Sequence, residues 1–297
     1  MNNKGGVSLA KPQALKISPL FLFISLFPTP LLAQPGDSNP GISKPMFIPS
    51  EKTIQYKIGD RTLPIKVVQY GDIKDIICIN LHDNEEASLQ AARLVLESSG
   101  GTLIKIENNN QRVIHFRLKG ISYGFDPNRM FSRIGIEQTL RDNRRTSKAA
   151  IDEIEKFAQR ILLLFADSIS CIVALHNNTE GAFSIKSYLA GGNRQSDAQA
   201  VYADSLQDID DIILTTDSLL YQKMADNKFN SIWQDNNKAK KDGSLSIFCG
   251  ERNLRYINIE TQHGKVIQYM KMLEKLLEIL AEENKIMPEY TSGGQLP

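Results

Sequence analysis

Two short motifs place histidine and glutamate side chains where proteins commonly bind a metal ion. His82 and Glu85 form an H-x-x-E motif directly after the apolar run DIICINL, and His176 follows a second apolar run, CIVAL. Residues three positions apart at the start of a helix lie on one side of it. Two imidazoles and one carboxylate suit a zinc ion and leave a fourth position for water. The alternative is a solvated His–Glu pair, which H-x-x-E by itself does not exclude.

A further carboxylate stands at the end of another apolar run. Glu260 ends RYINIE, where an acidic side chain costs free energy unless it is partnered or used in chemistry. Beside a metal-activated water, this carboxylate would act as the general base and then return the proton to a leaving amine. The alternative is a structural acid at the end of a strand.

Two arginines and an asparagine offer groups that bind a substrate. The segment GFDPNRMFS contains Asn128 and Arg129, an amide and a planar guanidinium that suit a substrate carboxylate. Arg117, in HFRLKG, would polarise the scissile carbonyl and stabilise its oxyanion. As an alternative, DPN is a strong turn former and the arginine after it is solvated.

The apolar runs and the helical patterns between them predict how these residues meet. The strand-like segments are TIQYKI, LPIKVVQY, DIICINL, TLIKIE, QRVIHFRL, CIVAL, SIKSYL, DIILTT, LSIFC and RYINIE. Helical patterns cover residues 86–98, 147–166, 217–225 and 265–283. Strands that alternate with helices predict a single α/β domain, with a mixed, mostly parallel twisted sheet and helices on both faces.

This sheet would gather the candidate residues at one edge. The carboxyl ends of parallel strands meet at the same edge, which is where ligands bind in open α/β sheets. His82, His176 and Glu260 each follow or end such a strand, so we expect them to lie together. Residues 190–210 and 233–243 are predicted as loops that form the rim of the site.

The beginning of the chain has the layout of a secretory signal peptide. Residues 1–33 place three lysines before the apolar run 17–32 and end in Ala33, which is followed by a turn-like segment. The apolar run is interrupted by proline and is shorter than the roughly 20 residues of a membrane-spanning helix. We therefore expect no stable membrane anchor after processing, and a periplasmic or secreted protein.

The remainder of the chain divides into three parts. Residues 34–50 are rich in proline, glycine and serine and are predicted as a flexible segment leading into the domain. Residues 51–285 are predicted as the catalytic domain, and residues 286–297 as a polar tail. The basic residues are mixed with acidic ones, and the formal net charge is +1, so a nucleic-acid partner is not expected.

The motifs in this order resemble the zinc carboxypeptidase family and its relatives, the succinylglutamate desuccinylases and aspartoacylases. The resemblance rests on H-x-x-E after a strand, an arginine followed by D-x-N-R-x-F, a strand ending in His and a strand ending in Glu. It implies a zinc-carboxypeptidase-like fold and one Zn²⁺ ion. The roles it implies are metal binding by His82, Glu85 and His176, base and proton donor for Glu260, oxyanion support by Arg117, and carboxylate binding by Asn128 and Arg129.

The resemblance also implies an activity. We expect an exported zinc metallopeptidase that hydrolyses a C-terminal or near-terminal amide bond of peptides, with cell-wall peptides as one substrate class. The enzymatic alternative is an N-acyl amino-acid amidohydrolase with the same metal site, and a further alternative is a non-catalytic peptide-binding module. Carboxypeptidases also place a mobile tyrosine over the substrate; the sequence does not choose among Tyr188, Tyr202 and Tyr221.

Overall fold

The structure is a computed structural model that describes residues 46–165, 169–181 and 183–286. The predicted signal peptide, most of segment 34–50 and residues 287–297 of the polar tail lie outside the described residues. The described strands are β1 (Pro49–Ile58), β2 (Arg61–Tyr70), β3 (Ile76–Asn80), β4 (Gly101–Ile106), β5 (Ile114–Leu118), β6 (Ile121–Phe125), β7 (Cys171–Asn178), β8 (Ala198–Tyr202), β9 (Ile212–Thr215), β10 (Asn230–Gln234) and β11 (Tyr256–Gln262).

Six α-helices connect these strands within the described ranges. They are α1 (Glu86–Ser99), α2 (Arg133–Asp142), α3 (Lys148–Leu162), α4 (Ser218–Asp226), α5 (Leu245–Glu251) and α6 (Val266–Ile286). None of the described helices is long and apolar enough to cross a membrane.

One mixed sheet forms the centre of the fold. Its strand order is β1-β2-β4-β3-β7-β11-β9-β10-β8. The central strands β4, β3, β7 and β11 are parallel neighbours, and so are β9 and β10. The other neighbouring pairs are antiparallel. This arrangement confirms the predicted α/β class with a mixed sheet, whose parallel part is its centre. Strands β5 and β6 form a separate antiparallel hairpin.

The two faces of the sheet bury two different apolar cores. Along β3, Ile77 and Ile79 face the core that contains Phe157 of α3, whereas Cys78 faces the core beneath α1 and α6. This alternation follows from the two-residue period of a strand. Helices therefore cover both faces, as predicted, and all three cysteines are buried free thiols.

Several segments differ from the secondary structure that the sequence predicts, and β6, α2 and β10 form where no strand or helix is predicted. The apolar run LSIFC is predicted as a strand but forms most of α5, and SIKSYL contains a short 3-10 helix over Ile185–Ser187. A run of about five apolar residues fits a buried helix as well as a strand, so periodicity does not separate the two. The predicted rim loops 190–210 and 233–243 contain β8 and the end of β10.

Candidate metal centre

The carboxyl ends of three parallel strands bring the predicted metal and base residues together. His82 lies two residues beyond the end of β3, and His176 lies near the end of β7. Glu260 of β11 is the direct register partner of His176 on the neighbouring parallel strand. Register partners on parallel strands place their side chains on the same face of the sheet. The predicted gathering of these residues at one sheet edge is therefore present.

A tight turn between β3 and α1 positions His82 and Glu85. The amide of Glu85 donates to the carbonyl oxygen of His82 at 3.1 Å, which closes the turn. At the start of α1, the amide of Ser88 donates to Oδ1 of Asn177 at 3.0 Å. The first amides of a helix have no partner within the helix, and the side chain of Asn177 on β7 accepts a hydrogen bond from one of them. This bond ties the turn to the strand that carries His176.

The three predicted metal ligands form a compact buried cluster. Oε1 of Glu85 is 3.0 Å from Nδ1 of His82, and Oε2 of Glu85 is 2.8 Å from Nδ1 of His176. The two Nδ1 atoms are 3.2 Å apart. Ligand atoms about 2.1 Å from a tetrahedral zinc ion lie roughly 3.4 Å from one another, close to these spacings. The three residues therefore fit a zinc ion. Within the described part of the chain, their ligand atoms lie close enough together to hold one metal ion.

An aspartate holds His82 in the form that a metal needs. Oδ1 of Asp126 is 2.7 Å from Nε2 of His82 and also accepts from the amide of Asn128 at 2.8 Å. A carboxylate can only accept there, so Nε2 carries a hydrogen, and Nδ1 is the nitrogen that would face a bound cation. Asp126 is not among the predicted site residues. Its position in the D-P-N-R segment, two residues before Asn128, is the signal that could have found it.

The buried charges in this cluster shift one another's pKa values. Burial acts to lower the pKa of His82, but the carboxylates of Glu85 and Asp126 outweigh it and raise that pKa. Burial acts to raise the pKa of Glu85, and His176 and His82 outweigh it, so the pKa lies well below its usual range. Asp126 behaves like Glu85: burial acts to raise its pKa, and the bond to His82 together with the nearby positive charges outweighs burial and lowers that pKa. The lowered pKa values of Glu85 and Asp126 keep both carboxylates negative, which favours a cation at this site, whereas the raised pKa of His82 means that a proton competes with a metal for its Nδ1 atom.

The arginine next to the cluster is Arg112, and the prediction for Arg117 needs correction. Nη1 of Arg112 donates to Oε1 of Glu85 at 2.7 Å, and Nε donates to Oδ2 of Asp126 at 3.3 Å. Arg117 lies on β5, where alternate residues are exposed, and its Nε donates to Oγ of Ser122 on β6 at 3.2 Å. The strand alternation that buries Ile114 and Phe116 turns Arg117 away from the site.

Asn128 reaches the cluster, and Arg129 lines the cleft beside it. Oδ1 of Asn128 accepts from the amide of Leu245 at the start of α5 at 3.1 Å, which directs Nδ2 to within 3.4 Å of Nε2 of His176. Arg129 donates from Nη1 to the Asn128 carbonyl at 2.7 Å, and its Nη2 lies 3.6 Å from Asp242. The guanidinium is therefore held by the protein, with donors left for a substrate carboxylate.

Glu260 has the environment of a general base. Nδ2 of Asn258, two residues earlier on β11, donates to Oε1 of Glu260 at 3.0 Å. Burial raises the pKa of Glu260, and the positive charge of His176 and the Asn258 bond oppose that shift without cancelling it. A carboxylate with a raised pKa accepts a proton more readily at neutral pH than an ordinary one.

The cluster opens into a cleft of about 320 Å³ on the α5 side of the sheet. Its lining includes Glu85, Arg112, Asn128, Arg129, His176, Phe183, Tyr188, Arg194, Asp197, Gln234, Lys240, Asp242, Ser244, Ile247, Tyr256, Asn258 and Glu260. The volume lies at the lower end of the range for small-molecule sites, which is about 300–1,000 Å³. The cleft is mostly polar and is lined by Glu85, Asn128, Arg129, His176 and Glu260, whereas His82 lies fully buried behind it.

Among the three candidate tyrosines, Tyr188 is the one that lines the cleft. Its ring is buried and packs edge-on against Phe183, with centroids 5.8 Å apart. Tyr202 instead donates to Asp204 at 3.1 Å, and Tyr221 stacks on Trp233. Tyr188 is therefore a fixed wall of the cleft in this conformation.

Comparison with known proteins finds similarity at the level of solved structures. No family model and no curated protein matches the sequence. The tripeptide-bound cell shape determinant Csd4 of Helicobacter pylori is 12% identical, covering 78% of this chain and 56% of that chain, with a TM-score of 0.44. An aspartoacylase family protein of Mesorhizobium loti is 16% identical, covering 78% and 67%, with a TM-score of 0.43.

A third similar structure is the murein-tripeptide amidase MpaA of Escherichia coli O157. It is 12% identical, covering 77% of this chain and 91% of that chain, with a TM-score of 0.40. This chain spans about half the length of the Csd4 structures it matches. Another of the similar structures is the mDAP-bound form of Csd4, a D,L-carboxypeptidase.

Proposed function

We propose that this chain is an exported zinc-dependent metallopeptidase that hydrolyses a C-terminal or near-terminal amide bond of peptides. The observation that carries the proposal is the convergence of His82, Glu85 and His176 in one buried cluster with Glu260 in register beside it. Three protein ligands with space for a fourth are the arrangement of a catalytic zinc site, whereas structural zinc sites are closed by four.

The donor set determines what a bound zinc ion would contribute. Zinc held by His82, Glu85 and His176 would polarise a substrate carbonyl and lower the pKa of a water to about 7. Asp126 supports this role because it keeps His82 in the tautomer whose Nδ1 faces the cluster.

The protein's own groups carry out the remaining steps. Glu260 takes a proton from the attacking water and passes it to the leaving amine, and its raised pKa suits both transfers. Arg112, beside Glu85, donates to the oxygen that becomes negative when the carbonyl is attacked. Arg129, oriented through Asn128, holds the carboxylate of the leaving residue, so the reacting bond lies beside Glu260.

Metal analysis and one variant test this proposal. Purified wild-type protein is expected to hold one zinc ion, and His82→Ala and His176→Ala to lose it. Zinc-loaded protein should cleave blocked dipeptides, and Glu260→Gln should keep its zinc while losing about 10²–10⁴-fold in rate. A zinc-free wild-type protein, or a Glu260→Gln variant as active as wild type, would contradict the proposal.

The same assay separates the alternative functions. Turnover of N-acyl amino acids without cleavage of blocked dipeptides would identify an N-acyl amino-acid amidohydrolase with this metal site. Equal ligand binding by wild type and Glu260→Gln, with hydrolysis by neither, would identify a non-catalytic peptide-binding module.

The exported location and the cell-wall peptide substrates are parts of the proposal that rest on the sequence of residues 1–33. N-terminal sequencing of protein recovered from the natural source tests this part. A mature chain beginning near Gln34 is expected, and a chain that retains Met1 would contradict export.

A further inference from the structure

A third arginine of the cleft, after Arg112 and Arg129, has no close counterion among the described residues. Arg194 lines the same cleft as Glu260, and its guanidinium carbon lies 5.5 Å from the centre of the Phe183 ring. Such a cation–π contact fixes the plane of the guanidinium but leaves its N–H donors free. Arg194 comes from the predicted rim loop and was not expected to be a site residue.

The one carboxylate paired with Arg194 is only partly available to it. Oδ2 of Asp197 lies 3.7 Å from Nη1 of Arg194, which is longer than a hydrogen bond. The other oxygen of Asp197, Oδ1, accepts from the amide of Lys240 at 3.0 Å. Lys240 also lines the cleft, and its ammonium group forms no ion pair among the described residues. The rim therefore presents positive charge that Asp197 does not neutralise.

Arg194 shares the cleft with Glu260, the proposed base, and with Arg129, the proposed site for the terminal carboxylate. Arg194, the buried Tyr188 and Glu260 all line this one cleft. The guanidinium of Arg129 already contacts Asn128 and Asp242, so its remaining donors can bind one substrate carboxylate. Arg194 is then available for a second carboxylate.

We propose that Arg194 is a specificity-determining residue that binds a second carboxylate, on the side chain of the leaving residue, so that the substrates are peptides ending in an acidic amino acid. This inference rests on the proposed peptidase activity. A planar guanidinium with free parallel donors matches a carboxylate geometrically, and a neutral amide of the same shape would leave those donors poorly paired.

Two blocked dipeptides of equal shape test the inference. Acetyl-Ala-Glu and acetyl-Ala-Gln differ by one charge, and wild-type enzyme is expected to prefer the former by about 10- to 100-fold in kcat/KM. Arg194→Met should reduce that preference to less than about threefold, mainly by losing rate on the Glu peptide. Arg194→Lys should keep part of it, since the charge remains but the planar fork is lost.

Arg252 provides a matched control. Its guanidinium carbon lies 3.8 Å from the centre of the Phe248 ring and its Nη1 lies 3.9 Å from Glu251, the same kinds of contact that Arg194 makes, but it does not line the cleft. Arg252→Met should therefore keep the wild-type preference. No preference in wild type, an equal loss on both peptides in Arg194→Met, or the same effect in Arg252→Met would overturn the inference.

Binding to Glu260→Gln protein distinguishes failure of the inference from failure of the proposed function. Calorimetric titration with the two dipeptides requires no hydrolysis. Arg194-dependent preference for the Glu peptide without turnover of either would support the inference and contradict the peptidase. Turnover of both peptides at similar rates would support the peptidase and overturn the inference.

Discussion

The bond between Asp126 and His82 makes a quantitative prediction about zinc affinity. In Asp126→Asn, Oδ1 can still accept from His82 and from the Asn128 amide, but the negative charge 2.7 Å from Nε2 is lost and an NH₂ group faces Arg112. Loss of such a ligand-orienting carboxylate typically costs about 10- to 100-fold in metal affinity. We therefore expect the zinc dissociation constant to rise by that factor, which equals about 1.4–2.8 kcal/mol.

Competition with a chromophoric chelator at pH 8 measures this change. Asp83→Asn is the matched control, because Asp83 is also a buried acid but pairs with Lys105 at 2.8 Å and accepts from the Asn108 amide at 2.6 Å. It should lower the free energy of unfolding and leave zinc affinity within about threefold. An unchanged affinity in Asp126→Asn, or an equal loss in Asp83→Asn, would refute the assignment of Asp126 as the residue that orients His82.

The pH dependence of this difference has a defined sign. Protons compete with zinc for His82, and its raised pKa makes that competition stronger in wild type as the pH falls. Removing the charge of Asp126 lowers the His82 pKa toward its ordinary value, so proton competition weakens in the variant. The ratio of wild-type to variant affinity should therefore shrink between pH 8 and pH 6, and a ratio that grows would contradict the electrostatic reasoning.

Three further predictions concern the base, the arginines and the core. Asn258→Ala removes a bond that lowers the pKa of Glu260, so the acid limb of the kcat/KM profile should move to higher pH; a shift to lower pH would argue against Glu260 as the base. Arg112→Met should reduce kcat by about 10²–10³-fold, whereas Arg117→Met should leave it within about twofold, as steady-state kinetics will show. Phe157→Ala should cost about 3–5 kcal/mol in chemical denaturation, because its fully buried ring packs 5.0 Å from that of Tyr56.

Much of the fold could be predicted because local patterns encode it. The apolar runs around Cys78, Cys171 and Ile257 predict buried strands, and all three lie in the parallel centre of the sheet. The same patterns place His82 and His176 after strands, so their meeting at one sheet edge follows from the parallel topology. The helix α5 escaped prediction because a short apolar run has no period that separates helix from strand.

The sequence predicts the metal-binding and base residues of the site but selects the wrong arginine beside them. His82, His176 and Glu260 could be selected because each follows or ends an apolar run, where a polar group is costly without a function. Glu85 could be selected because it completes the H-x-x-E motif with His82. Arg117 and Arg112 lie only five residues apart, and sequence alone favoured the wrong neighbour of the metal cluster. The alternation of β5 excludes Arg117, but only the orientation of the hairpin shows which face meets the cluster.

The sequence by itself therefore determined most of the element types, the candidate ligands and the edge of the sheet where they meet, because hydrophobic periodicity and strand ends are local properties of the chain. Only the tertiary structure decided that Asp126 orients His82, that Glu260 stands in register with His176, and that Arg194 enters the cleft from a loop. These contacts join residues tens of positions apart, and their distances depend on how strands pair and loops pack, which no local pattern specifies.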